Sequence, residues 1–299
     1  MGIQLIGKSK NIQALRKFVH KAAQVDANCL LTGETGVGKG ITAELIHQKS
    51  NRKSFRFIDF NCNNLNDHLV ESELFGFIKG SFTGAIENKP GLIEEADKGT
   101  FFLDEIADTD INIQAKLLNV LENKKVRRIG SVESKKIDVR FICATNKNIK
   151  NLIKKAEFRK DLYYRIKILY FHIDPLRKRP EDIPLLANYF LKYMCMQNEK
   201  NYYFNQKAIE KLENYSFPGN IRELENILQR ACIFAESEKI TEKIIDLSDD
   251  IESNTKSDDL ELILSTLDKF NGNKTKTAEE LGISRQWLHK ILNRQKLLQ

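Results

Sequence analysis

Long apolar runs are missing from this chain of 299 residues. No stretch of about 18 apolar residues occurs, which argues against a membrane-spanning helix. The first residues, 1–8, lack a charged region followed by an apolar stretch, so no secretory signal is visible. The five cysteines are scattered without a CxxC spacing, which favours reduced thiols in a cytoplasmic protein over a disulfide framework.

The composition is that of a chain that can form a hydrophobic core and bind an anionic partner. Apolar residues make up 41% of the sequence, enough to bury a core, and charged residues make up 30%. A length of 299 residues suggests roughly two domains. The net charge of +7 favours an anionic partner without identifying one.

Strands and helices alternate over residues 1–174, which predicts an α/β fold with a parallel sheet covered by helices on both faces. Only helical patterns follow over 175–240, and they predict a small helical subdomain. A polar, acidic stretch at 241–257 has the composition of a linker, and 258–299 is a short helical unit. The predicted strands are 29–32, 57–60, 101–103, 139–144 and 168–173, and the predicted helices are 11–23, 41–48, 67–75, 111–121, 185–194, 206–214 and 221–234.

A glycine-rich loop after the first strand has the spacing of a phosphate-binding loop. It comprises Gly33, Glu34, Thr35, Gly36, Val37, Gly38, Lys39 and Gly40. Its glycines leave backbone N–H groups open to phosphates, the next helix presents its positive end, and Lys39 supplies a charge for the outer phosphates of ATP. Gly40 stands where a serine or threonine hydroxyl would meet Mg²⁺, so the metal must rely on a carboxylate elsewhere.

Two adjacent acids supply that carboxylate. Asp104 and Glu105 follow the apolar strand 101–103, at the end where ligands lie in open α/β sheets. We expect Asp104 to hold Mg²⁺, directly or through water, and Glu105 to orient or deprotonate the attacking water.

Between these two motifs lies a hexapeptide for which a plain nucleotidase has no need. It comprises Gly80, Ser81, Phe82, Thr83, Gly84 and Ala85. Two glycines bracket an aromatic ring and a hydroxyl, and glycine permits a tight reversal of the chain. The pattern predicts a finger that carries Phe82 and Thr83 outward, toward something other than nucleotide.

Together these motifs resemble the AAA+ module of bacterial enhancer-binding proteins, the sigma-54-dependent transcription activators. The hexapeptide is similar to the family's finger, usually written GAFTGA, with Ser81 in its second position. The resemblance implies that the finger, residues 80–85, contacts sigma-54 and that Phe82 and Thr83 make the critical contacts.

Further stretches resemble the same family and carry implied roles. Asn61 resembles the family's switch asparagine, which holds the catalytic glutamate, here Glu105. Asn146 resembles sensor I, which helps to position the water or the γ-phosphate. Arg222 resembles sensor II, which reaches nucleotide from the helical subdomain.

Arg159 and Arg165 lie in a segment that resembles the family's arginine-finger segment. Such a guanidinium serves the ATP of a neighbouring subunit, so hydrolysis requires assembly, and a head-to-tail interface closes into a ring. The resemblance implies a homohexamer. We interpret the nearby Lys154 and Lys155 as a solvated face.

Residues 126–136 precede the strand 139–144 and admit two interpretations. In the family a second mobile loop occurs here and helps to position the first. A plain β-hairpin explains the segment equally well.

The C-terminal residues 277–288 predict a helix, a tight turn and a second helix. Gly282 suits a helix end and Ser284 an N-cap. The pattern resembles the Fis-type helix-turn-helix, which implies binding to double-stranded DNA. The predicted DNA-binding residues are Ser284, Arg285, Gln286, Trp287, His289 and Lys290.

The sequence thus predicts an ATP-hydrolysing activator that binds upstream DNA and remodels sigma-54 RNA polymerase holoenzyme to open promoters. A protein-remodelling AAA+ chaperone and a DNA-binding repressor with a vestigial ATPase are the alternatives. The ATPase module begins almost at Met1, so we expect either a shortened chain or regulation by a separate partner protein.

Overall fold

The computed structural model describes residues 3–64, 66–198 and 200–247, and beyond them residues 266, 267, 270, 274 and 277. The chain divides into two compact units, Met1–Ile245 and Asp246–Gln299. Residues 284–290, which the sequence assigns to DNA binding, lie outside the described residues.

The first unit combines a parallel sheet with helices and small two-stranded sheets. The strands are β1 (Cys29–Thr32), β2 (Phe57–Asn61), β3 (Gly76–Phe77), β4 (Lys89–Pro90), β5 (Thr100–Asp104), β6 (Lys125–Val126), β7 (Lys135–Lys136), β8 (Arg140–Thr145), β9 (Leu169–His172), β10 (Tyr203–Phe204) and β11 (Lys239–Ile240). The helices are α1 (Lys10–Ala23), α2 (Lys39–Gln48), α3 (Asp67–Phe75), α4 (Leu92–Glu95), α5 (Ile111–Asn123), α6 (Ile149–Lys154), α7 (Lys160–Ile166), α8 (Ile183–Asn198), α9 (Gln206–Glu213) and α10 (Asn220–Ile233).

The main sheet has the strand order β2-β5-β8-β1-β9, and every neighbouring pair is parallel. The register pairs Asn61 with Asp104 and Thr32 with Thr145, so the carboxyl ends of these strands form one edge. The loops that carry the predicted nucleotide residues all leave from this edge. The expected α/β fold with a parallel sheet is confirmed.

Helices cover both faces of the sheet because its strands are apolar on both sides. Along β5, Phe101 and Leu103 belong to one buried cluster, and Phe102 belongs to the cluster on the opposite face. The first cluster includes residues of α5 and α7, such as Leu117 and Leu162. Near-continuous apolar strands of this kind are typical of a parallel sheet buried on both faces.

The helical subdomain is built on α8 and α10, which pack together. Along α10 the fully or nearly fully buried side chains Leu224, Ile227, Leu228 and Ala231 follow the spacing of one helix face. The parallel pair β10 and β11 adds a small sheet to this subdomain.

The sequence missed three short helices, α4, α6 and α7, and began α2 two residues late. The short helices span four to seven residues, too few turns for a helical pattern to emerge. In the segment 126–136, β6 and β7 pair antiparallel, so the hairpin interpretation is correct for its stem. Among the described residues, no helix is both long and apolar enough to cross a bilayer.

A buried carboxylate fastens the N-terminal segment to the start of the helical subdomain. Asp182 is fully buried and accepts hydrogen bonds from the backbone N–H groups of Lys8 and Ser9, at 2.5 and 2.8 Å, and from the Ser9 hydroxyl at 2.6 Å. Ser9 is also the N-cap of α1. This single side chain therefore joins residues more than 170 positions apart in the chain.

Replacing Asp182 by alanine leaves the two buried donors of Ser9 and the partly buried N–H of Lys8 without this acceptor. We expect Asp182→Ala to lower the free energy of unfolding by about 3 kcal/mol, because buried unsatisfied polar groups are costly. Urea unfolding followed by circular dichroism measures the change. Asp182→Asn keeps one oxygen acceptor and should lose less. A loss below about 1 kcal/mol for the alanine variant would contradict the assigned role.

Candidate functional site

The phosphate loop connects β1 to α2. Gly36 and Gly38 have φ values of 79° and 105°, a region that favours glycine. A Cβ on Gly36 would lie 2.3 Å from the carbonyl oxygen of Gly219 in the helical subdomain. Gly36 is therefore required by close approach as well as by its backbone conformation.

Lys39 opens α2, and its buried ammonium group turns back across the loop. Its Nζ donates to the carbonyl oxygens of Gly33 and Glu34, at 3.1 and 3.4 Å, and lies 3.1 Å from Oε1 of Glu105. The loop lysine and the second acid of the carboxylate pair thus form a buried ion pair.

Glu105 is fixed through both carboxylate oxygens. Oε1 meets Lys39, and Oε2 accepts the backbone N–H of Asn146 at 2.8 Å. Its backbone is left-handed, with φ 55° and ψ 47°, which costs on the order of 1–3 kcal/mol for a residue other than glycine. Such strain persists where the surroundings hold the residue in place, and here a lysine and a backbone amide do so.

Asp104 ends β5 beside Glu105. Burial raises the pKa of Asp104, and the neighbouring Glu105 charge raises it further. The charges of Lys39 and of Arg222 in α10 act in the opposite direction and lower this pKa.

Asn146 follows β8 and bridges two parts of the site. Besides its N–H bond to Glu105, its side-chain Nδ2 donates to the hydroxyl of Thr35 in the phosphate loop at 3.0 Å. The structure therefore brings Lys39, Glu105 and Asn146 together at the carboxyl edge of the main sheet.

Asn61 is not part of this contact. It pairs with Asp104 in the strand register, and its side-chain oxygen accepts the N–H of Asn63 at 2.8 Å. In the described part of the chain it forms no hydrogen bond with Glu105, whose oxygens meet Lys39 and Asn146. The implied role of Asn61 in holding Glu105 stays a prediction.

Contacts from the helical subdomain close on the phosphate loop. The fully buried Asn220 donates from Nδ2 to the Thr35 carbonyl at 3.0 Å and to Glu34 at 3.2 Å. The N–H of Ile221 donates to the carbonyl of Gly36 at 3.0 Å. Asn220 was missed as a site residue, because its partners lie some 185 positions away in the chain.

Glu34 also forms a forked ion pair with Arg177, with N–O distances of 2.6 and 2.7 Å. The hydrogen bonds from Arg177 lower the pKa of Glu34 to about 2. Arg177 lies at the beginning of the helical subdomain, so this pair is a second link from the loop to that subdomain.

Beside the loop is a largely apolar cavity of about 310 Å³. Its walls come from the N-terminal segment, helix α1, the phosphate loop with the start of α2, and helices α8 and α10. Representative lining residues are Ile6, Val37, Ile41, Leu186 and Ile221. Its position beside the phosphate loop and its apolar walls suit the planar base of a nucleotide. No local sequence motif predicted this cavity, because its lining residues are far apart in the chain.

The finger, residues 80–85, leaves from the antiparallel pair β3 and β4. Two internal hydrogen bonds close it, from Gly80 N–H to the Ala85 carbonyl at 2.9 Å and from Ala85 N–H to the Phe82 carbonyl at 3.1 Å. Phe82 is 45% exposed, and its ring packs edge-on against Phe77 at a centroid distance of 5.0 Å. Thr83 is exposed.

Arg159 is the N-cap of helix α7, and Arg165 lies in its last turn. Arg159 pairs with Asp161, with its two N–O distances at 2.7 and 3.1 Å, and the exposed Arg165 donates to the carbonyl of Leu121 at 3.2 Å. Within the described ranges, neither side chain hydrogen-bonds a residue of the phosphate loop.

The donor set fits a magnesium ion only in part. Among the described residues, no cluster of three or more His, Cys, Asp and Glu side chains could hold a metal by itself. Mg²⁺ bound with nucleotide uses one or two carboxylates together with phosphate oxygens and waters. Asp104 at the strand end satisfies that smaller requirement, and Gly40 contributes no ligand.

Three family models match successive parts of the chain. The Sigma-54 interaction domain matches residues 5–172, the AAA+ ATPase lid domain residues 177–263, and the model named Bacterial regulatory protein, Fis family, residues 259–294. The first covers more than half of the chain.

Full-length relatives agree with these matches. The chain is 39% identical over 302 residues to the transcriptional regulatory protein ZraR of Escherichia coli (strain K12), spanning 97% of this chain and 68% of that protein. It is 39% identical over 298 residues to the response regulator protein PilR of Pseudomonas aeruginosa, spanning 94% of this chain and 67% of that protein.

Solved structures with a similar fold include proteins bound to nucleotide. NtrX from Brucella abortus in complex with ADP superposes with a TM-score of 0.76 at 29% identity, covering 98% of this chain and 69% of that chain. The ATP complex of the same protein gives a TM-score of 0.75.

The pair between Glu34 and Arg177 makes a pH-dependent contribution to stability. The folded pKa of Glu34, about 2, lies below its ordinary value of 4.5, so the contribution is complete above about pH 4.5 and is lost as the pH falls toward 2. We expect Arg177→Ala to lower the free energy of unfolding only slightly at pH 7, since both side chains are partly exposed and solvent screens the pair.

The difference between wild type and Arg177→Ala should be equal at pH 6 and pH 7 and should shrink below pH 4. Denaturant unfolding at each pH measures it. Arg177→Lys keeps the charge without the fork and should give an intermediate value. A difference that grows toward acid would exclude this pair as its source.

Proposed function

We propose a mechanism from one premise: this chain belongs to the sigma-54-dependent transcription activators. It is a DNA-binding activator that acts with sigma-54, and its central module is a nucleotide-binding AAA+ ATPase. What we propose is how its residues couple ATP hydrolysis to the opening of promoters by sigma-54 RNA polymerase holoenzyme. We also propose that it works in the bacterial cytoplasm, where that polymerase and its DNA are.

The proposed organisation keeps the bounds drawn from the sequence. Residues 1–174 form the α/β subdomain, 175–240 the helical lid, 241–257 a linker and 258–299 the helix-turn-helix domain. The helix-turn-helix would bind upstream DNA through residues 284–290.

In the proposed site the loop residues 33–40 surround the phosphates of ATP, and the base enters the apolar cavity. Lys39 binds the outer phosphates, because its ammonium already lies among the loop carbonyls. Arg222 reaches the nucleotide from α10. The contacts of Asn220 and Ile221 with the loop then carry nucleotide-dependent movement into the lid.

Glu105 would orient or deprotonate the attacking water. Support comes from its rigid placement, since Lys39 and the Asn146 N–H each hold one oxygen. Asn146 is exposed, which suits a side chain that positions water or the γ-phosphate at an open face. Asn61 completes the proposed set from the neighbouring strand.

Asp104 is the residue that would hold Mg²⁺. The bound ion would supply charge neutralisation at the phosphate oxygens. Asp104 itself contributes a carboxylate at the strand end, with one oxygen already accepting the N–H of Glu105 at 3.1 Å.

Arg159 and Arg165 would act on the ATP of a neighbouring subunit. Arg159, the N-cap of α7, is partly exposed, and Arg165, within α7, is exposed. Among the described residues, neither side chain hydrogen-bonds the phosphate loop of its own subunit. A guanidinium supplied across an interface stabilises charge on the transferred phosphoryl group. The proposed assembly is a homohexameric ring, in which each interface completes one site.

The finger, residues 80–85, would deliver the output to sigma-54. The observation that carries this proposal is an exposed Phe82 and Thr83 on a short two-stranded stem, in the same unit that brings Lys39, Glu105 and Asn146 together. A hydrolytic enzyme alone gains nothing from such a finger. Different nucleotide states can then present it differently to sigma-54.

Thr83→Ala tests the finger directly. We expect ATP turnover and DNA binding close to wild type, with no open complexes formed by purified sigma-54 holoenzyme, because the exposed hydroxyl lies outside the nucleotide site. Permanganate footprinting of the promoter measures opening. Glu105→Gln is the matched comparison: it should bind ATP but hydrolyse it about 10²-fold to 10⁴-fold more slowly.

Wild-type promoter opening by Thr83→Ala would refute the assignment of the finger. Turnover without opening by the wild-type chain would favour a chaperone. Regulation that persists in Glu105→Gln would favour a repressor that acts by occupancy.

Mixing two inactive variants tests the arginine assignment. Lys39→Ala removes nucleotide binding and Arg159→Ala removes the proposed trans residue, so each alone should turn over ATP at least about 10-fold more slowly than wild type. In mixed rings, an Arg159→Ala subunit with intact Lys39 can receive Arg159 from its Lys39→Ala neighbour. We therefore expect the mixture to recover activity, measured as phosphate release.

The control replaces the exposed Lys154, a cation on the same stretch that we assign to a solvated face. Lys154→Ala should keep wild-type turnover alone and in mixtures. Absence of recovery in the Lys39→Ala and Arg159→Ala mixture, with rings confirmed by light scattering, would argue against action in trans.

A further inference from the structure

The base of the finger is docked on a second loop, residues 127–134, which joins β6 to β7. The N–H of Ile78 donates to the carbonyl of Ile129 at 3.1 Å, and the N–H of Ile129 donates to the carbonyl of Gly76 at 2.8 Å. These two backbone bonds link the stem of the finger to the second loop. We call this arrangement the docked finger.

One side chain of the finger takes part in this docking. Gly130 of the second loop, with φ 80°, lies so close to Ser81 that an added Cβ would be 2.7 Å from the Ser81 Cβ. Ser81 therefore lies directly against Gly130, while Phe82 and Thr83 remain exposed.

The hydroxyl of Ser81 is the anomaly in this contact. Its oxygen is buried and has no hydrogen-bond partner among the described residues. A serine hydroxyl can donate one hydrogen bond and accept two. A buried hydroxyl without partners therefore destabilises the arrangement that buries it, and exposure restores its hydrogen bonds with water. Alanine, usual at this finger position in the family, carries no such group.

We propose that Ser81 is a positioning residue that weakens the docked finger and so favours its release toward a partner. The hydroxyl destabilises only the docked arrangement, because a finger that leaves Gly130 exposes Ser81 to water. The part of this inference that concerns the partner rests on the proposed contact with sigma-54; the part that concerns docking does not.

The docking part is tested by amide hydrogen exchange on the full chain. The amides of Ile78 and Ile129 report docking, since each donates across the contact. Ser81→Ala removes the unpaired hydroxyl, and we expect both amides to exchange roughly tenfold more slowly. Exchange at wild-type rates, or faster, would overturn the inference.

A matched control lies on the other side of the same contact. The Ser131 hydroxyl is paired, accepting the N–H of Glu133 at 3.0 Å and donating to its carbonyl at 3.4 Å. Ser131→Ala should not slow exchange at Ile78 or Ile129. If it slows them as much as Ser81→Ala, the effect is not due to the unpaired hydroxyl and the inference fails.

Gly130→Ala tests the contact in the opposite direction. The new methyl group would meet Ser81, so exchange of the Ile78 amide should accelerate while amides of the main sheet keep their protection. Unchanged exchange at Ile78 would show that Ser81 and Gly130 do not pack together, which also overturns the inference.

The part of the inference that concerns the partner is tested by measuring how much sigma-54 the chain binds in the presence of ADP and aluminium fluoride. Ser81→Ala should require roughly tenfold more sigma-54 for half-maximal capture, because release starts from a more stable docked state. Unchanged capture beside slowed exchange overturns the link to the partner. If wild-type protein captures no sigma-54 at all, the proposed function of the finger fails, and the exchange result still decides the docking.

Discussion

The nucleotide site depends on the carboxylate of Glu105, which ties three separate elements together. Lys39 comes from the start of α2, Glu105 from the end of β5 and Asn146 from the end of β8. A buried ion pair is weak support for stability in general, but removing one partner leaves a buried charge uncompensated. The three elements therefore move together or break the contact. In the proposed mechanism Lys39 also binds the outer phosphates of ATP, so its ion pair with Glu105 connects phosphate binding to the catalytic carboxylate.

The lid uses the same kind of link on the other side of the loop. Asn220 and Ile221 donate hydrogen bonds to backbone carbonyls of the loop, and Arg177 forms a bidentate ion pair with Glu34. These contacts use carbonyl and carboxylate acceptors of the loop, so they occupy none of its N–H groups. Loop and lid can accordingly remain joined while nucleotide binds, and this joint gives the lid a means to follow the state of the nucleotide.

The sequence could predict whatever is encoded locally. The phosphate loop, the acids after β5 and the finger each occupy a few consecutive residues whose types dictate their chemistry, and the alternation of strands and helices revealed the parallel sheet. Contacts between residues far apart in the chain could not be predicted from the sequence. The partners of Asn220, the clamp of Asp182 on Ser9 and the apolar cavity beside Ile41 join positions far apart in the chain.

Resemblance filled some of those gaps and left others open. It pointed to Asn146, which lies against Glu105, and to Asn61, whose side chain bonds to Asn63 instead. A role that depends on a particular conformational state cannot be inferred from residue type, because the same side chain has different partners in different states. The docked finger illustrates this point, since the polar hydroxyl oxygen of Ser81 is buried in this arrangement without a hydrogen-bond partner among the described residues.

The size of the docking contact matches what a nucleotide cycle can control. The two backbone hydrogen bonds at Ile78 and Ile129 together contribute about 1–3 kcal/mol. Reversing a two-state ratio from 1:99 to 99:1 requires about 5.5 kcal/mol of differential binding. A contact of this size holds the finger between encounters, yet a change at the nucleotide combined with favourable contacts to sigma-54 suffices to release it. A finger embedded in the core, with several buried side chains, would need far more than either could supply.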